Sequence, residues 1–271
     1  MKKIGIISLG LIGGSLFKCL IQKGYDVCAV TRNKETIIQA KELSVNVSDD
    51  INTLKNCDVI FVCSPMSKCE EILDNLENVI PQSTIVADVC SLKSFLMNKK
   101  RSYVFIGSHP MAGTEHSGYD ASFAELFENA KWVITPRENT PEESVQIFSQ
   151  VIQSTGAKII RANAQEHDKA AALISHMPMV IAQALMKTIQ NNELAKKMAS
   201  SGFRDMTRLA LSNLQMAEDM VNLNKENIME SLQELTQSTD ELLLDSYTKQ
   251  ILDIKNARQS LYNADGKNTY N

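Results

Sequence analysis

Through the first 160 residues, short β-branched apolar runs alternate with amphipathic stretches, and this alternation constrains the fold more than any single motif. The runs occupy residues 4–9, 27–30 (VCAV), 58–63 (DVIFVC), 84–89 (TIVADV), 103–107, 132–135 and 157–161 (AKIIR). Most are apolar continuously rather than at every second position, as strands buried on both faces are. Separated by helical stretches such as 14–23 and 34–43, they predict a mainly parallel sheet covered by helices on both sides. After Arg161 the texture changes: no convincing strand follows, and Pro178 is the last proline. The segment ALISHMPMVIAQALMKT is apolar on nearly every side, which points to a helix buried in a bundle or a subunit interface. Ile228, Leu232 and Leu235, and later Ile251 and Ile254, recur at helical spacing. The expectation is an α/β domain over residues 1–162 and an all-helical domain over 163–271.

Composition removes several classes of function. A net charge of −4 gives no reason to expect nucleic acid or an anionic membrane as partner. The six cysteines all lie in the first third without a C-x-x-C pair, which suits reduced thiols and a cytoplasmic location rather than disulfides or zinc. The four histidines share no metal-ligand spacing with them, so no metal is expected. Lys2 and Lys3 ahead of an apolar run resemble the start of a secretory signal, but three glycines and Lys18 interrupt that run. No 18-residue uncharged apolar segment occurs, so a membrane span is not expected.

The first strand candidate runs into SLGLIGGS, residues 8–15, close to the G-x-G-x-x-G of a dinucleotide-binding turn. In a strand–turn–helix–strand context, Gly10 lets the backbone approach a pyrophosphate and Gly13 lets helix pack closely on strand. Gly10, Leu11, Ile12 and Gly13 are therefore cofactor-binding candidates, with free amides and a positive dipole end at the helix start. Ser8 stands where the first glycine belongs; it can hold the turn with negative φ, or at a cost of about 1–2 kcal/mol with positive φ. The second strand ends VTRN, residues 30–33. An NAD site usually has an acidic residue there, but the nearest acid, Asp26, is at the wrong end. Arg32 can pair with a 2′-phosphate and Thr31 can donate to it, so NADP is expected over NAD.

Three further segments fall at strand ends, where ligands bind in such sheets. Ser64 and Pro65 end one strand, Ser91 follows the next in DVCSLK, and His109 sits in the small-residue loop of GSHPMAGTEHSG. Ser91 and His109 could both reach a nicotinamide. Further on, Arg204 and Arg208 in SSGFRDMTR are four apart and share a face if that segment is helical. His167 and His176 are nine apart, about 180° on a continuous helix, so they cannot face one site unless the helix bends.

Taken in order, SLGLIGGS, DVCSLK, GSHPMAGTEHSG, EHDKAAALISHMP and SSGFRDMTR resemble the prephenate/arogenate dehydrogenase family of tyrosine biosynthesis, over about residues 1–215. The resemblance implies a Rossmann-type domain followed by a helical domain, and the cost of exposing the all-apolar helix at 170–186 predicts a homodimer built through that second domain. It implies oxidative decarboxylation of a hydroxycyclohexadienyl substrate with hydride transfer to the nucleotide. His109 would be the base at the ring hydroxyl, and Ser91 would bond the same hydroxyl. Arg208 would hold a substrate carboxylate, with Arg204 as partner of nearby acids. Thr114 and Glu115 would be further substrate contacts, Glu115 orienting the arginine; for His176 two readings stand equally, a substrate contact or burial in the helical core. Members acting on prephenate often read SHLPH, whereas Met179 stands here at the final histidine. Loss of that polar donor favours arogenate, with its ammonium, over prephenate, with its keto group. Prephenate as substrate stays open, as do a β-hydroxyacid dehydrogenase and a non-catalytic NADP-binding sensor.

Overall fold

The computed structural model describes residues 2–43, 46–114, 116–244, 247–262 and 269. Eight strands form one sheet: β1 (Lys3–Ile7), β2 (Asp26–Val30), β3 (Asn46–Ser48), β4 (Val59–Val62), β5 (Ile85–Asp88), β6 (Val104–Pro110), β7 (Lys131–Pro136) and β8 (Lys158–Arg161). Their order is β3-β2-β1-β4-β5-β6-β7-β8, and every pairing is parallel except β6 with β7. Helices α1 (Leu11–Gln22), α2 (Lys34–Lys41), α3 (Met66–Leu76), α4 (Ser94–Met97) and α5 (Glu142–Ser154) belong to this half.

The central apolar strands are buried on both faces, as their composition requires, whereas the edge strand β8 is largely exposed. In β4, Val59 and Phe61 point into one core with Leu16, Phe17, Trp132 and Phe148. Ile60 and Val62 point into the other, with Leu54, Leu73, Leu76 and Leu96. The second core also takes in Met179, Ala217 and Met220 from the helical half, so the two halves share buried surface.

The sheet ends at Arg161, and Asn163 starts the helices with a capping box: its side chain accepts from the Glu166 amide, and Glu166 reaches back. There follow α6 (Ala164–Ala171), a π-turn (Ala172–His176), α7 (Met177–Thr188), α8 (Glu193–Met198), α9 (Ser201–Thr207), α10 (Leu214–Leu223), α11 (Lys225–Leu244) and α12 (Tyr247–Leu261).

Four expectations change. The three-residue edge strand β3 is absent from the sequence reading, being too short and polar to leave a pattern. β6 continues through His109 and Pro110, paired with β7, so His109 projects from a strand and not from a loop. Although no uncharged 18-residue segment exists, the helical run Ala164–Thr188 is long and apolar enough by composition to cross a membrane. Within it, His167, Asp168 and His176 are buried, as in a core helix. Finally, 170–186 is not one uniformly apolar helix: the π-turn divides it, and Met179 and Ala182 are already buried within the chain. The larger exposed apolar surface lies later, at Leu211, Leu214, Leu243, Leu244 and Leu252.

Candidate active site

The carboxyl ends of β1, β4, β5 and β6 meet along one edge of the sheet, and each contributes a turn to the site. After β1, Ser8 adopts φ +70°, the left-handed conformation that glycine would take without strain. Its hydroxyl bonds the Ser64 hydroxyl at 2.6 Å, and its amide donates to the Val30 carbonyl at 2.8 Å, which fixes the turn despite that strain. A Cβ on Gly13 would run into the Ser8 carbonyl, so this position needs glycine for close packing of α1 on β1. A Cβ on Gly10 would meet nothing within 4 Å. Gly10 caps α1 without a side-chain bond, and the first turn of α1 contains no acidic residue. The amides of Leu11, Ile12 and Gly13 have no hydrogen-bond partner among the described residues, a cradle that fits a pyrophosphate.

Beside this turn lies a cavity of about 240 Å³, lined in part by Ser8, Val30, Thr31, Arg32, Asp49 and Lys68. Thr31 is buried, and Arg32 is exposed with no hydrogen bond or ion pair among the described residues. Asn33 caps α2 by accepting from the Thr36 amide. Asp49 is a carboxylate that the sequence reading did not bring here. Ser64 is buried and Pro65 caps α3, whose Ser67 amide donates to Asp219 of α10 at 3.2 Å. That bond ties the loop after β4 to the helical half.

The centre of the site is a chain of hydrogen bonds beginning at His109. Its Nδ1 lies 2.9 Å from Nε2 of His167, and His167 Nδ1 donates to Asp168 Oδ1 at 2.8 Å. The Asp168 carboxylate also accepts from the backbone amides of Lys93 and Ser94, each at 2.8 Å. Burial works to raise the Asp168 pKa, but these bonds outweigh it and hold the group below the usual carboxylate value. An ionised Asp168 can only accept, so His167 carries its proton on Nδ1 and accepts at Nε2. His109 must then donate from Nδ1, which leaves its Nε2 lone pair free to act as a base. Burial, then the Lys93 charge and the two other histidines, push the His109 pKa well below its ordinary value.

Lys93 is fully buried. Its ammonium pairs with Asp88 at the end of β5 and donates to the Ser108 carbonyl at 2.6 Å, tying the Ser91 loop to the strand that carries His109. Ser91, two residues earlier, is half-buried and has no side-chain hydrogen bond among the described residues, so its hydroxyl is available.

The π-turn resolves the spacing of the two later histidines. Each of its residues turns by less than the about 100° of an α-helix, so His176 falls short of the face opposite His167. His176 is fully enclosed, with Nδ1 3.1 Å from Asn224 Nδ2 and Nε2 unpartnered. It thus stands behind the site, not at its surface as a substrate contact would. Asn224 also donates to the Asp168 carbonyl at 2.9 Å, bracing the end of the chain.

Helix α9 ends at Thr207, and Arg208 opens a 3-10 turn (Arg208–Leu211), so the two arginines do not share a continuous α-helix. Arg204 lies 3.5 Å from Asp205; Arg208 is exposed and has no hydrogen bond or ion pair among the described residues. Its turn packs against α7, which continues from His176. Thr114 is exposed and accepts from the His116 amide at 3.2 Å. Glu115 lies outside the described residues. His167, Asp168, Lys93 and Asn224 were missed; the triplet EHD just past an N-cap was the available signal.

Comparison with known proteins agrees with this geometry. Residues 18–161 match the family described as "Prephenate dehydrogenase, nucleotide-binding domain". Residues 163–251 match "Prephenate dehydrogenase, dimerization domain". The chain is 29% identical to a prephenate dehydrogenase of Bacillus subtilis, across 88% of this chain and 68% of that protein. Among solved structures it resembles Synechocystis arogenate dehydrogenase, with 32% identity, TM-score 0.81, and coverage of 95% and 96%. It also resembles Aquifex aeolicus prephenate dehydrogenase in complex with hydroxyphenyl propionate and NAD+, with 27% identity, TM-score 0.85, and coverage of 95% and 97%.

Proposed function

The chain belongs to the prephenate dehydrogenase family, and from that premise we propose that it oxidises arogenate to tyrosine with NADP. It is a pyridine-nucleotide-dependent oxidoreductase acting on prephenate or arogenate in aromatic amino acid biosynthesis. The choice of arogenate and NADP is our reading.

The observation that carries the mechanism is the chain from His109 through His167 to Asp168. A pyridine nucleotide with its pyrophosphate at the amides of residues 11–13 would supply, at its nicotinamide, the acceptor for the electron pair of the C–H bond at the carbon bearing the ring hydroxyl. His109 Nε2 removes the hydroxyl proton as that bond breaks, and Ser91 holds the same oxygen in line. The positive charge that His109 acquires is shared toward His167 and compensated by Asp168, a route that keeps the proton out of bulk water. The new ring ketone then draws the electrons of the ring-to-carboxylate bond as CO₂ leaves, and the ring becomes aromatic. Arg208, exposed and unpaired among the described residues, is the group we assign to a substrate carboxylate, with Arg204 beside its neighbouring acid Asp205. A base of lowered pKa stays neutral below pH 6.5, so the acid limb of kcat is expected below that value.

Arogenate is supported by the sequence at Met179, which stands where members acting on prephenate often carry a histidine; the side chain itself is buried in the apolar core shared with α10. NADP is supported by the unpaired Arg32 at the cavity beside Ser8. Asp49 in the same cavity favours the second reading, NAD, as does the NAD+ complex of the Aquifex relative. We also propose a homodimer through the helical domain, supported by its exposed apolar helices, and a cytoplasmic location, supported by six free thiols. Cofactor reduction measured with arogenate or prephenate, each with NADP or NAD, tests the reading. Highest kcat/KM with arogenate and NADP is expected. A preference for prephenate overturns the substrate assignment, and a preference for NAD overturns the cofactor assignment.

A further inference from the structure

The cavity beside Ser8 contains more charge than one cofactor-selecting arginine. In the strand order β2-β1-β4, Arg32 follows β2, and Lys68 lies in the first turn of α3 after β4. The two cations therefore flank the β1 turn from opposite sides, and both line the same cavity of about 240 Å³. Arg32 is unpaired among the described residues. Lys68 has only a loose partner, Glu71, 3.7 Å away with both side chains more than half exposed. Asp49 and Glu71 also line the cavity, so two cations and two carboxylates share one opening, with the loose Lys68–Glu71 pair as the only ion pair between them among the described residues. Ile51 and Ile72 supply apolar walls for a base, which leaves the charged rim for a ribose and its substituents.

We propose that Lys68 is the second arm of a clamp on the 2′-phosphate of NADP, opposing Arg32 across the β1 turn, with Glu71 as its resting partner. This rests on the NADP reading above. A phosphate dianion near the rim would draw Lys68 from Glu71, because an exposed lysine–glutamate pair is held weakly. Asp49 and Glu71 repel the same dianion, so selectivity is set by the balance of the four groups rather than by Arg32 alone.

The test is equilibrium binding of 2′,5′-ADP and of 5′-AMP, which differ only by the 2′-phosphate, to the full-length protein by calorimetry, which does not depend on turnover. Lys68 is solvent-facing, so Lys68→Met is expected to fold with an unchanged Tm. It should weaken 2′,5′-ADP by about fivefold, the upper range for an exposed charge pair, and leave 5′-AMP unchanged. Glu71→Gln should tighten 2′,5′-ADP by about twofold, since Lys68 is freed. If Lys68→Met leaves the preference for 2′,5′-ADP intact, or weakens both ligands equally, the clamp is wrong while the NADP reading stands. If the unmodified protein itself does not prefer 2′,5′-ADP to 5′-AMP, the NADP reading falls and the clamp with it.

Discussion

His167 is the place to test whether His109 is set up as a base by its neighbours. In His167→Phe, the His109 Nδ1–H loses its acceptor at 2.9 Å, and Asp168 loses one donor but keeps the amides of Lys93 and Ser94. With no carboxylate-anchored acceptor, nothing selects the tautomer that leaves Nε2 free. The charge developed on His109 also loses its path to Asp168. One charge-assisted hydrogen bond in a buried setting is worth about 1.5–3 kcal/mol. If it is fully expressed at the transition state, kcat should fall by about 10- to 150-fold, with little change in KM. Steady-state cofactor reduction at saturating substrate measures this directly. His167→Gln, whose carbonyl can still accept from His109, should recover part of the loss. A His167→Phe enzyme that keeps kcat within about threefold would refute the relay, because no reading in which His167 fixes the base permits so small an effect.

Burial lowers the His176 pKa to about 4 from 6.5, so between those values the unfolded chain is protonated there and the folded one is not. Stability should therefore fall as pH drops from 6.5 toward 4, by up to about 1.4 kcal/mol per pH unit from this group; His176→Gln should flatten that part of the curve in chemical denaturation. Gly13→Ala drives a methyl into the Ser8 carbonyl, and a cost of at least about 1–3 kcal/mol is expected, with weakened nucleotide binding; an unchanged Tm and Kd would contradict the close packing of α1 on β1. Leu243→Glu with Leu244→Glu places charge on the exposed apolar end of α11 and should shift sedimentation from dimer to monomer. A dimer that survives both changes is built elsewhere.

The sheet was legible because burial on both faces forces continuous apolar strands, and each long strand carries that mark in its own residues. The nucleotide turn was legible for a similar local reason: Gly13 is required by a contact only five residues away, at Ser8. The rest of the site is non-local. His109 and His167 are 58 positions apart, and their bond depends on α6 docking beside β6. The nine-residue spacing of His167 and His176 misled because it was converted to an angle with α-helical geometry, while the chain there makes a π-turn. His109 itself was placed in a loop because Gly, Pro and small residues surround it; pairing of β6 with β7 overrides that local tendency. Asp49 and Lys68 carry no motif at all, and only the docking of α3 and the end of β3 brings them to Arg32.

Asp168 separates two properties that His167 combines. Its Oδ1 accepts from both the Lys93 amide and His167, while Oδ2 accepts from Ser94. In Asp168→Asn, the amide oxygen can take the Oδ1 position and continue to accept both bonds. The cost is an NH₂ group turned against the Ser94 amide, about 1–3 kcal/mol of stability for the unsatisfied pair. The tautomers of His167 and His109 then survive, and the free Nε2 lone pair with them. What disappears is the negative charge that compensates a protonated His109. A charge-assisted bond is roughly twice as strong as a neutral one, so the loss is about 1 kcal/mol, or near fivefold in kcat. The sign of the pH effect follows. Burial already holds the His109 pKa below 6.5, and removing a nearby carboxylate disfavours its cation further, so the acid limb of kcat should move to still lower pH. An acid limb that stays in place would mean that Asp168 orients the histidines without compensating charge. A limb that moves upward would mean that the proton is not shared along this chain, and the assignment of His109 Nε2 as the base would have to be abandoned.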